Sequence, residues 1–266
     1  MPLNEMNFTE RVGESEFADR LLCLALDIGS GMLKSGGEIH RVEDTVNRIC
    51  RAYGAAHVEI FAISSVIFAA IRLQSGEYSS QIRRVDSVDN HLQRLEQYNS
   101  LSRRICKNQV PLDELDAMIV DIKKTPSYPS WLRILAAGFG AGVFAIFFGG
   151  GLWDGLLAMV IGAIMFSVDL LPSARVNRLA KTAVQSFLGG LLASLAIRAG
   201  LGQDQEAIMI GTIMVLIPGL SFGTAFRDLL CGDFLTGTLN TVQCVLAAAM
   251  IAGGYLLAMF FVGGIV

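Results

Sequence analysis

Basic clusters, cysteine pairs and histidine are scarce in this chain of 266 residues, and each scarcity removes a class of function. The 21 lysines and arginines face 24 acids, for a net charge of −3, and they form no one-sided cluster. Nucleic-acid binding therefore has no support. The five cysteines are scattered, without a CxxC pair or a histidine at metal-ligand spacing. We therefore expect reduced structural thiols, no metal site and no cofactor.

Charge is also scarce in the second half of the chain. Up to Ser130 there are 15 basic and 18 acidic residues, whereas six of each follow from Trp131 onward. The first half is typical of a water-soluble domain and the second of a membrane domain. We expect no signal peptide, because the first apolar patch, residues 21–28, is short and contains Asp27.

The soluble half has helical and strand periodicity in separate blocks. Apolar residues at helical spacing predict helices over residues 15–34, 38–53, 88–106 and 111–124. Runs rich in β-branched and aromatic residues predict three strands, at 58–64, 66–73 and 78–85. The prediction is a cytoplasmic α+β domain over residues 1–124, followed by a linker over 125–131 that contains two prolines.

The membrane half contains five apolar segments long enough to cross a bilayer. They cover residues 132–149, 155–171, 182–200, 207–226 and 234–262. The predicted fold class is therefore an α+β soluble domain followed by an all-α membrane domain, 132–266, of five transmembrane helices. Basic residues before the first span and in the second and fourth joins place the N-terminus in the cytoplasm. An odd number of spans then places the C-terminus on the opposite side.

Glycine is concentrated in the membrane half, often at small-xxx-small spacing. Gly138 with Gly142 and Gly219 with Gly223 are examples. Such spacing lets helices approach closely, so we expect a packed bundle in the lipid bilayer that includes another subunit, as in an oligomer.

The fourth apolar segment is interrupted at Pro218-Gly219 before it reaches Arg227-Asp228. A proline removes one backbone donor, so the freed groups must face protein or a wet cavity. One interpretation is a substrate path, lined also by Ser221 and Thr224, in which Arg227 binds a carboxylate. The alternative is a kinked but ordinary packed helix with an interfacial ion pair.

Asp169 lies near the end of the second apolar segment, with apolar neighbours around it. It is either a proton or substrate relay in the path, or a carboxylate at the cytoplasmic interface that pairs with Arg175 or another basic residue.

The stretch GGEIHRVED, residues 36–44, is the chemically densest part of the soluble half. Glu38, His40, Arg41 and Glu43 would form an acid/base or ligand-binding cluster under a functional interpretation. The plainer interpretation is a helix N-terminus with a Glu38–Arg41 pair and a solvated His40, and spacing alone favours it.

Two motif stretches together resemble the threonine/serine exporter (ThrE) family. They are Ser35 to Thr45 with Arg83-Arg84-Val85, and Pro218-Gly219, Arg227-Asp228, Gly232-Asp233 and Gly237. With five predicted spans, the chain is similar to the YjjP-like larger subunit of the split two-chain form. One departure is Thr224, where the family tends to have asparagine, and it leaves the identity of the substrate open.

The resemblance implies a bacterial inner-membrane exporter of a small polar metabolite, either threonine and serine or a dicarboxylate such as succinate. It also implies a small all-membrane partner subunit, and a transporter rather than an enzyme. Two alternatives stay open: a membrane-tethered hydrolase that uses Glu38, His40, Arg41 and Glu43, and a soluble module that senses the metabolite and gates the membrane half.

Overall fold

The computed structural model describes residues 8–86, 88–170 and 177–263. The chain forms two compact units. The first unit contains Met1–Ser127 and Gly223–Leu239, and the second contains Tyr128–Phe222 and Asn240–Val266.

The N-terminal part of the first unit alternates helices with one small sheet. Its elements lie close to the predicted ranges, and α1 begins earlier than predicted because its polar first turns carry no apolar periodicity. The elements are α1 (Phe8–Lys34), α2 (Ile39–Ala52), β1 (Ala55–Ile63), β2 (Val66–Leu73), β3 (Tyr78–Arg84), α3 (Leu92–Lys107) and α4 (Leu112–Lys123).

The sheet is an antiparallel meander with β2 in the centre. Its first hairpin closes at the pair Ile63 and Val66, so the connection has two residues. Alternate residues of β2 are buried, Ile67, Ala69, Ile71 and Leu73, as expected for a strand with one face on a core. That face packs on α1, whose residues Leu21, Leu22, Leu26 and Ile28 are fully buried. Helix α1 therefore organises the core, since α2, α3 and α4 pack on it too.

The first unit also contains a distant part of the sequence. Residues 223–239 comprise most of α9 (Gly219–Cys231) and the first turns of α10 (Phe234–Gly263). This stretch lies within the membrane domain predicted over residues 132–266. Residues 223–239 belong to the first unit because they contact the N-terminal elements, although they are distant from them in the sequence.

The second unit is helical and closely packed. It contains α5 (Ser130–Phe147), α6 (Leu152–Ser167), α7 (Arg178–Arg198), α8 (Gln205–Leu216) and the rest of α10. A Cβ added at Gly138 would lie 2.7 Å from the Met159 carbonyl oxygen, and one at Gly142 would lie 2.7 Å from the Gly155 carbonyl oxygen. The backbones of α5 and α6 thus meet where the small-residue spacing predicts close approach.

The predicted five-span fold class is wrong. Within the described residues three helices are long and apolar enough to cross a membrane: Ser130–Phe147, Arg178–Arg198 and Phe234–Gly263. The pair α8 and α9 adds a fourth if it counts as one span, bent by 54° at its break.

The predicted second span, 155–171, fails because its helix is too short. Helix α6 has 16 residues and gives way at Val168 to a 3-10 turn. Its length of about 24 Å is less than the hydrocarbon core of about 30 Å. The hydropathy pattern included Asp169 in the span, whereas the α-helix ends at Ser167, before that residue.

Candidate functional site

The N-terminus of α2 is capped by a side chain from a distant part of the sequence. Glu38 has the extended conformation of an N-cap residue (φ −71°, ψ 144°), but its side chain makes no capping hydrogen bond. The backbone N–H of Ile39 instead donates to the carboxylate of Asp228 in α9. Asp228 is 2% exposed, so this buried carboxylate satisfies a donor that a helix start leaves open.

Arg227, the neighbour of Asp228, binds the same turn of α2. Its Nη1 donates to Oε1 of Glu38 in an ion pair. The arginine side chain is 63% exposed and that of Glu38 is 19% exposed. The two motif stretches identified in the sequence, 189 residues apart at this contact, therefore meet in the first unit.

The end of α9 is a Schellman turn that fixes the position of Asp233. Gly232 has φ +95°, its N–H donates to the Leu229 carbonyl, and the N–H of Asp233 donates to the Asp228 carbonyl at 2.9 Å. This pattern requires a left-handed residue, which glycine provides without strain. Asp233 then precedes α10, and its Oδ2 is buried with no hydrogen-bond partner in the described part of the chain.

The first turn of α10 packs tightly on α9. A Cβ at Gly237 would lie 2.6 Å from the Leu229 side chain and 2.8 Å from its backbone nitrogen. The motif glycine therefore permits the close approach that brings Asp233 beside α2.

Glu43 lies one turn further along α2 and contacts the sheet. Its Oε1 accepts a hydrogen bond of 2.8 Å from the backbone N–H of Ala62 in β1. Burial raises the pKa of the Glu43 carboxyl, the Ala62 N–H opposes that rise, and the negative charge of Asp233 adds to it. The proton affinity of Glu43 thus depends first on its burial and then on the Ala62 N–H and the charge of Asp233.

The other two residues of the predicted soluble cluster have other surroundings. His40 is exposed. Arg41 is exposed and donates to Oδ1 of Asn99 in α3 at 3.2 Å. The Glu38–Arg41 pair of the plainer interpretation is replaced by Glu38–Arg227. Glu38, Arg41 and Glu43 each bind a different partner, so the hydrolase alternative gains no shared site from them.

We call Glu38, Glu43, Arg227, Asp228 and Asp233 the α2/α9 cluster. It combines four carboxylates with one guanidinium, and neighbouring members interact electrostatically. A guanidinium binds a carboxylate with two parallel hydrogen bonds, whereas carboxylates attract ammonium groups. The α2/α9 cluster is therefore suited to a small molecule that carries both groups.

Three of the predicted path residues lie in the second unit, at the break between α8 and α9. Ile217 is extended (φ −62°, ψ 125°), as expected for the residue before a proline. Pro218 has no N–H to donate to the Met214 carbonyl one turn earlier. Gly219 is exposed and Ser221 is half-buried. The predicted interruption of the helix is present.

The remaining path residues, Thr224 and Asp169, lie in different units. Thr224 is half-buried in the part of α9 that belongs to the first unit. Asp169 lies in the second unit, where Gln185 Nε2 donates to its Oδ1 at 3.3 Å and Arg133 Nη2 lies 3.8 Å from its Oδ2. These contacts resemble the interfacial pairing that the sequence allows, with Arg133 as the cation. Arg175 lies outside the described residues.

Asp233 belongs to the cluster, although the sequence identified it only as part of the Gly232-Asp233 motif and not as a site residue. It follows the left-handed Gly232 and precedes a long apolar run, and an acid just before a helix is a recognisable N-terminal signal. Metal binding gains nothing from the cluster, because no group of three histidine, cysteine or acidic side chains in the described ranges is arranged to hold an ion.

Comparison with known proteins identifies the family. The model of the family described as "Putative threonine/serine exporter" (ThrE) matches residues 23–262. The chain is 25% identical to a probable threonine/serine exporter of Mycobacterium tuberculosis, over 90% of this chain and 46% of the relative. It is 24% identical to the threonine/serine exporter of Corynebacterium glutamicum, over 87% and 49%.

A shorter relative matches almost end to end. The probable succinate transporter subunit YjjP of Klebsiella aerogenes is 23% identical over 86% of this chain and 88% of its own length. The chain thus spans about half the length of the two exporters that it matches. No solved structure matches the chain. The family match covers both units, and it confirms the resemblance carried by the two motif stretches: the chain belongs to the ThrE family of putative threonine/serine exporters.

Proposed function

We propose that this chain is one subunit of a bacterial inner-membrane exporter of a small polar metabolite. The observation that carries the proposal is the meeting of the two motif stretches: Arg227 and Asp228 of α9 bind the first turn of α2. This contact links α2, a helix of the predicted soluble domain, to α9, the helix that follows the break at Pro218. The family supports transport, and helices long and apolar enough to cross a membrane are present.

The substrate path in this proposal includes the helix break at Pro218-Gly219 with Ser221, Thr224, Arg227 and Asp228. Arg227 is now occupied by Glu38, and a substrate carboxylate would compete with Glu38 for the guanidinium. Release of Glu38 would loosen the link between α2 and α9, so arrival of the substrate and opening of the path are the same event. Asp169 is a relay in the same proposal.

The charges of the α2/α9 cluster favour an amino acid over a dicarboxylate. A single guanidinium among four carboxylates accepts one substrate carboxylate, and the excess negative charge then attracts an ammonium group. A second substrate carboxylate would instead face like charge. We therefore place threonine and serine before succinate as the exported metabolite.

Efflux of labelled threonine from cells tests the path. We expect Arg227→Gln and Asp228→Asn to lower efflux by about tenfold, the effect of removing the charge from one charge-assisted contact. Gly219→Leu should lower it too, because its side chain would cover the freed backbone groups. Arg198→Gln, an exposed arginine at the end of α7, is the matched control and should export normally. Normal efflux by the first three variants, at normal membrane levels, would refute the path.

The assembly is proposed from the name of one relative. The chain covers about half of the full-length exporters, and the relative of its own size is called a transporter subunit. In this proposal the chain works with a small all-membrane partner of the same family. Purification in mild detergent followed by mass spectrometry should identify this partner, and an active preparation that contains this chain alone would contradict the proposal.

The orientation is part of the proposal. The N-terminus lies in the cytoplasm and the C-terminus on the opposite side, which requires an odd number of crossings. Three spanning helices meet that requirement, whereas counting the bent pair α8 and α9 as a crossing would not.

A further inference from the structure

We propose that the N-terminal part of the first unit holds a second binding site, for a small dianion with carboxylate or phosphate oxygens. The site is a cavity of about 360 Å³ between α1, β3, α3 and α4. It contains none of the residues of the α2/α9 cluster, and the inference does not depend on the exporter proposal.

The lining of this cavity is strongly cationic. Four of its side chains carry a positive charge, and one carboxylate opposes them. The charged lining residues are Asp27, Lys34, Arg83, Arg94 and Lys123. Like charges that share a partly enclosed space repel one another, because the protein wall screens them less than water does. A bound anion would remove that repulsion.

Asp27 shows which chemical group the cavity holds. Its Oδ1 lies 2.8 Å from Arg83 Nη2, and its Oδ2 lies 2.7 Å from Lys123 Nζ. One carboxylate thus bridges two of the four cations with one oxygen to each. A ligand carboxylate or phosphate offers the same oxygen geometry to the other two.

The other two cations have no carboxylate partner among the described residues. Lys34 is exposed at the end of α1. Arg94 donates from Nη2 to the Thr125 carbonyl at 2.6 Å, which leaves its charge unbalanced. The pair therefore provides a cationic position that the protein itself does not neutralise.

The hydrogen bonding of the two arginines is incomplete in the described structure. The Nε atoms of Arg83 and Arg94 are buried and have no acceptor within the described ranges. A guanidinium has five N–H donors, and leaving a buried one unpaired destabilises the fold. An anion in the cavity would supply acceptors to both arginines after a small movement of their side chains. Tyr98, 1% exposed, adds a hydroxyl to the lining.

Calorimetric titration of the full chain in detergent, at neutral pH and low salt, tests the site. The probes are inorganic phosphate, succinate and threonine at millimolar concentrations. We expect one site for phosphate, succinate or both, and an excess of threonine should not displace the dianion from it, because threonine carries no net charge. Binding of phosphate alone would indicate a phosphate site, and binding of succinate alone would indicate a carboxylate site. Absence of heat with both, or equal heat from chloride at the same ionic strength, would overturn the proposal.

Three substitutions, two that weaken binding and one that tightens it, separate an effect on binding from damage to the fold. Lys34→Gln and Arg94→Gln should each weaken binding about fivefold, as expected for loss of one partly exposed ionic contact. Asp27→Asn should tighten binding, because it removes the carboxylate that occupies Arg83 and Lys123. Lys124→Gln, an exposed lysine beside Lys123 that does not line the cavity, is the control and should bind normally. Unchanged affinity in Lys34→Gln and Arg94→Gln would refute the site.

One further variant distinguishes this site from the α2/α9 cluster. Arg227→Gln should leave dianion binding unchanged, even where it lowers efflux. Loss of binding in Arg227→Gln would move the anion to the α2/α9 cluster and refute the cavity. Unimpaired efflux in Arg227→Gln would refute the exporter path and leave the cavity intact.

Discussion

Asp228 makes hydrogen bonds at two helix ends, one through its side chain and one through its backbone carbonyl. Its carboxylate accepts the first N–H of α2, and its backbone carbonyl accepts the N–H of Asp233 in the turn that ends α9. A substitution of the side chain therefore removes the cap of α2 while leaving the turn intact. The residue acts through satisfied hydrogen bonds as well as through charge.

Removal of the Asp228 carboxylate should destabilise the first unit. We expect Asp228→Ala to lower the free energy of unfolding by about 1–3 kcal/mol, because the buried Ile39 N–H loses its acceptor. Asp228→Asn keeps an acceptor oxygen and should cost less. Chemical unfolding of the detergent-purified chain measures both. Asp121→Ala, an exposed acid of α4 with a 79% exposed side chain, is the control, and a cost equal to that of Asp228→Ala would contradict the capping role.

Glu43 should make stability depend on pH. Burial raises the pKa of its carboxyl, so the folded state holds the proton more tightly than the unfolded state does. That contribution to stability is complete below the unfolded pKa of about 4.3 and is lost as pH rises through the raised folded value. Glu43→Gln cannot ionise, and its amide oxygen can still accept from Ala62.

The expected result is a higher melting temperature for Glu43→Gln than for the parent above the raised pKa, and a difference that shrinks toward pH 4. Thermal unfolding in detergent across this range measures it. A difference that is constant with pH would show that the substitution acts by packing rather than by charge.

The local sequence pattern predicted those helices and strands whose positions depend on local interactions. Helical spacing placed α2 within one residue at each end, and β-branched runs placed β1, β2 and β3. The same applies to the break at Pro218, where the missing N–H is a property of one residue. The span predicted from hydropathy at α6 is wrong, because hydropathy does not report where the backbone leaves the helical conformation.

The candidate site needed contacts that no local pattern contains. Periodicity put Glu38 beside Arg41 on one helix, whereas its partner is Arg227, 189 residues away. The short motif around Arg227 and Asp228 identified the residues but not the surface that they bind. Only tertiary packing joins the two motif stretches.

Two glycines of α10 provide a matched test of the packing that positions Asp233. Gly237→Ala should destabilise the protein by about 1–3 kcal/mol, because its Cβ meets the backbone of α9 at Leu229. Gly253→Ala meets nothing within 4 Å and should be neutral, or stabilising by up to about 1 kcal/mol. Unfolding in detergent compares them. Equal effects of the two substitutions would contradict the close approach.

The number of membrane crossings determines the proposed orientation of the chain. A fluorescent protein that folds only in the cytoplasm should fluoresce when fused before Met1 and stay dark when fused after Val266. Three crossings give this result, since an odd number separates the two ends. Fluorescence at both ends would indicate an even number, as when α8 and α9 together form a fourth crossing.

The capping of α2 by Asp228 has a consequence for biosynthesis. A ribosome completes residues 1–124 long before it reaches residue 228. Helix α2 therefore emerges without the carboxylate that later caps its N-terminus. Domains generally fold as units during synthesis, yet this one stays unfinished until most of the membrane helices have been made. A truncated N-terminal fragment would consequently reproduce a nascent intermediate rather than the mature domain.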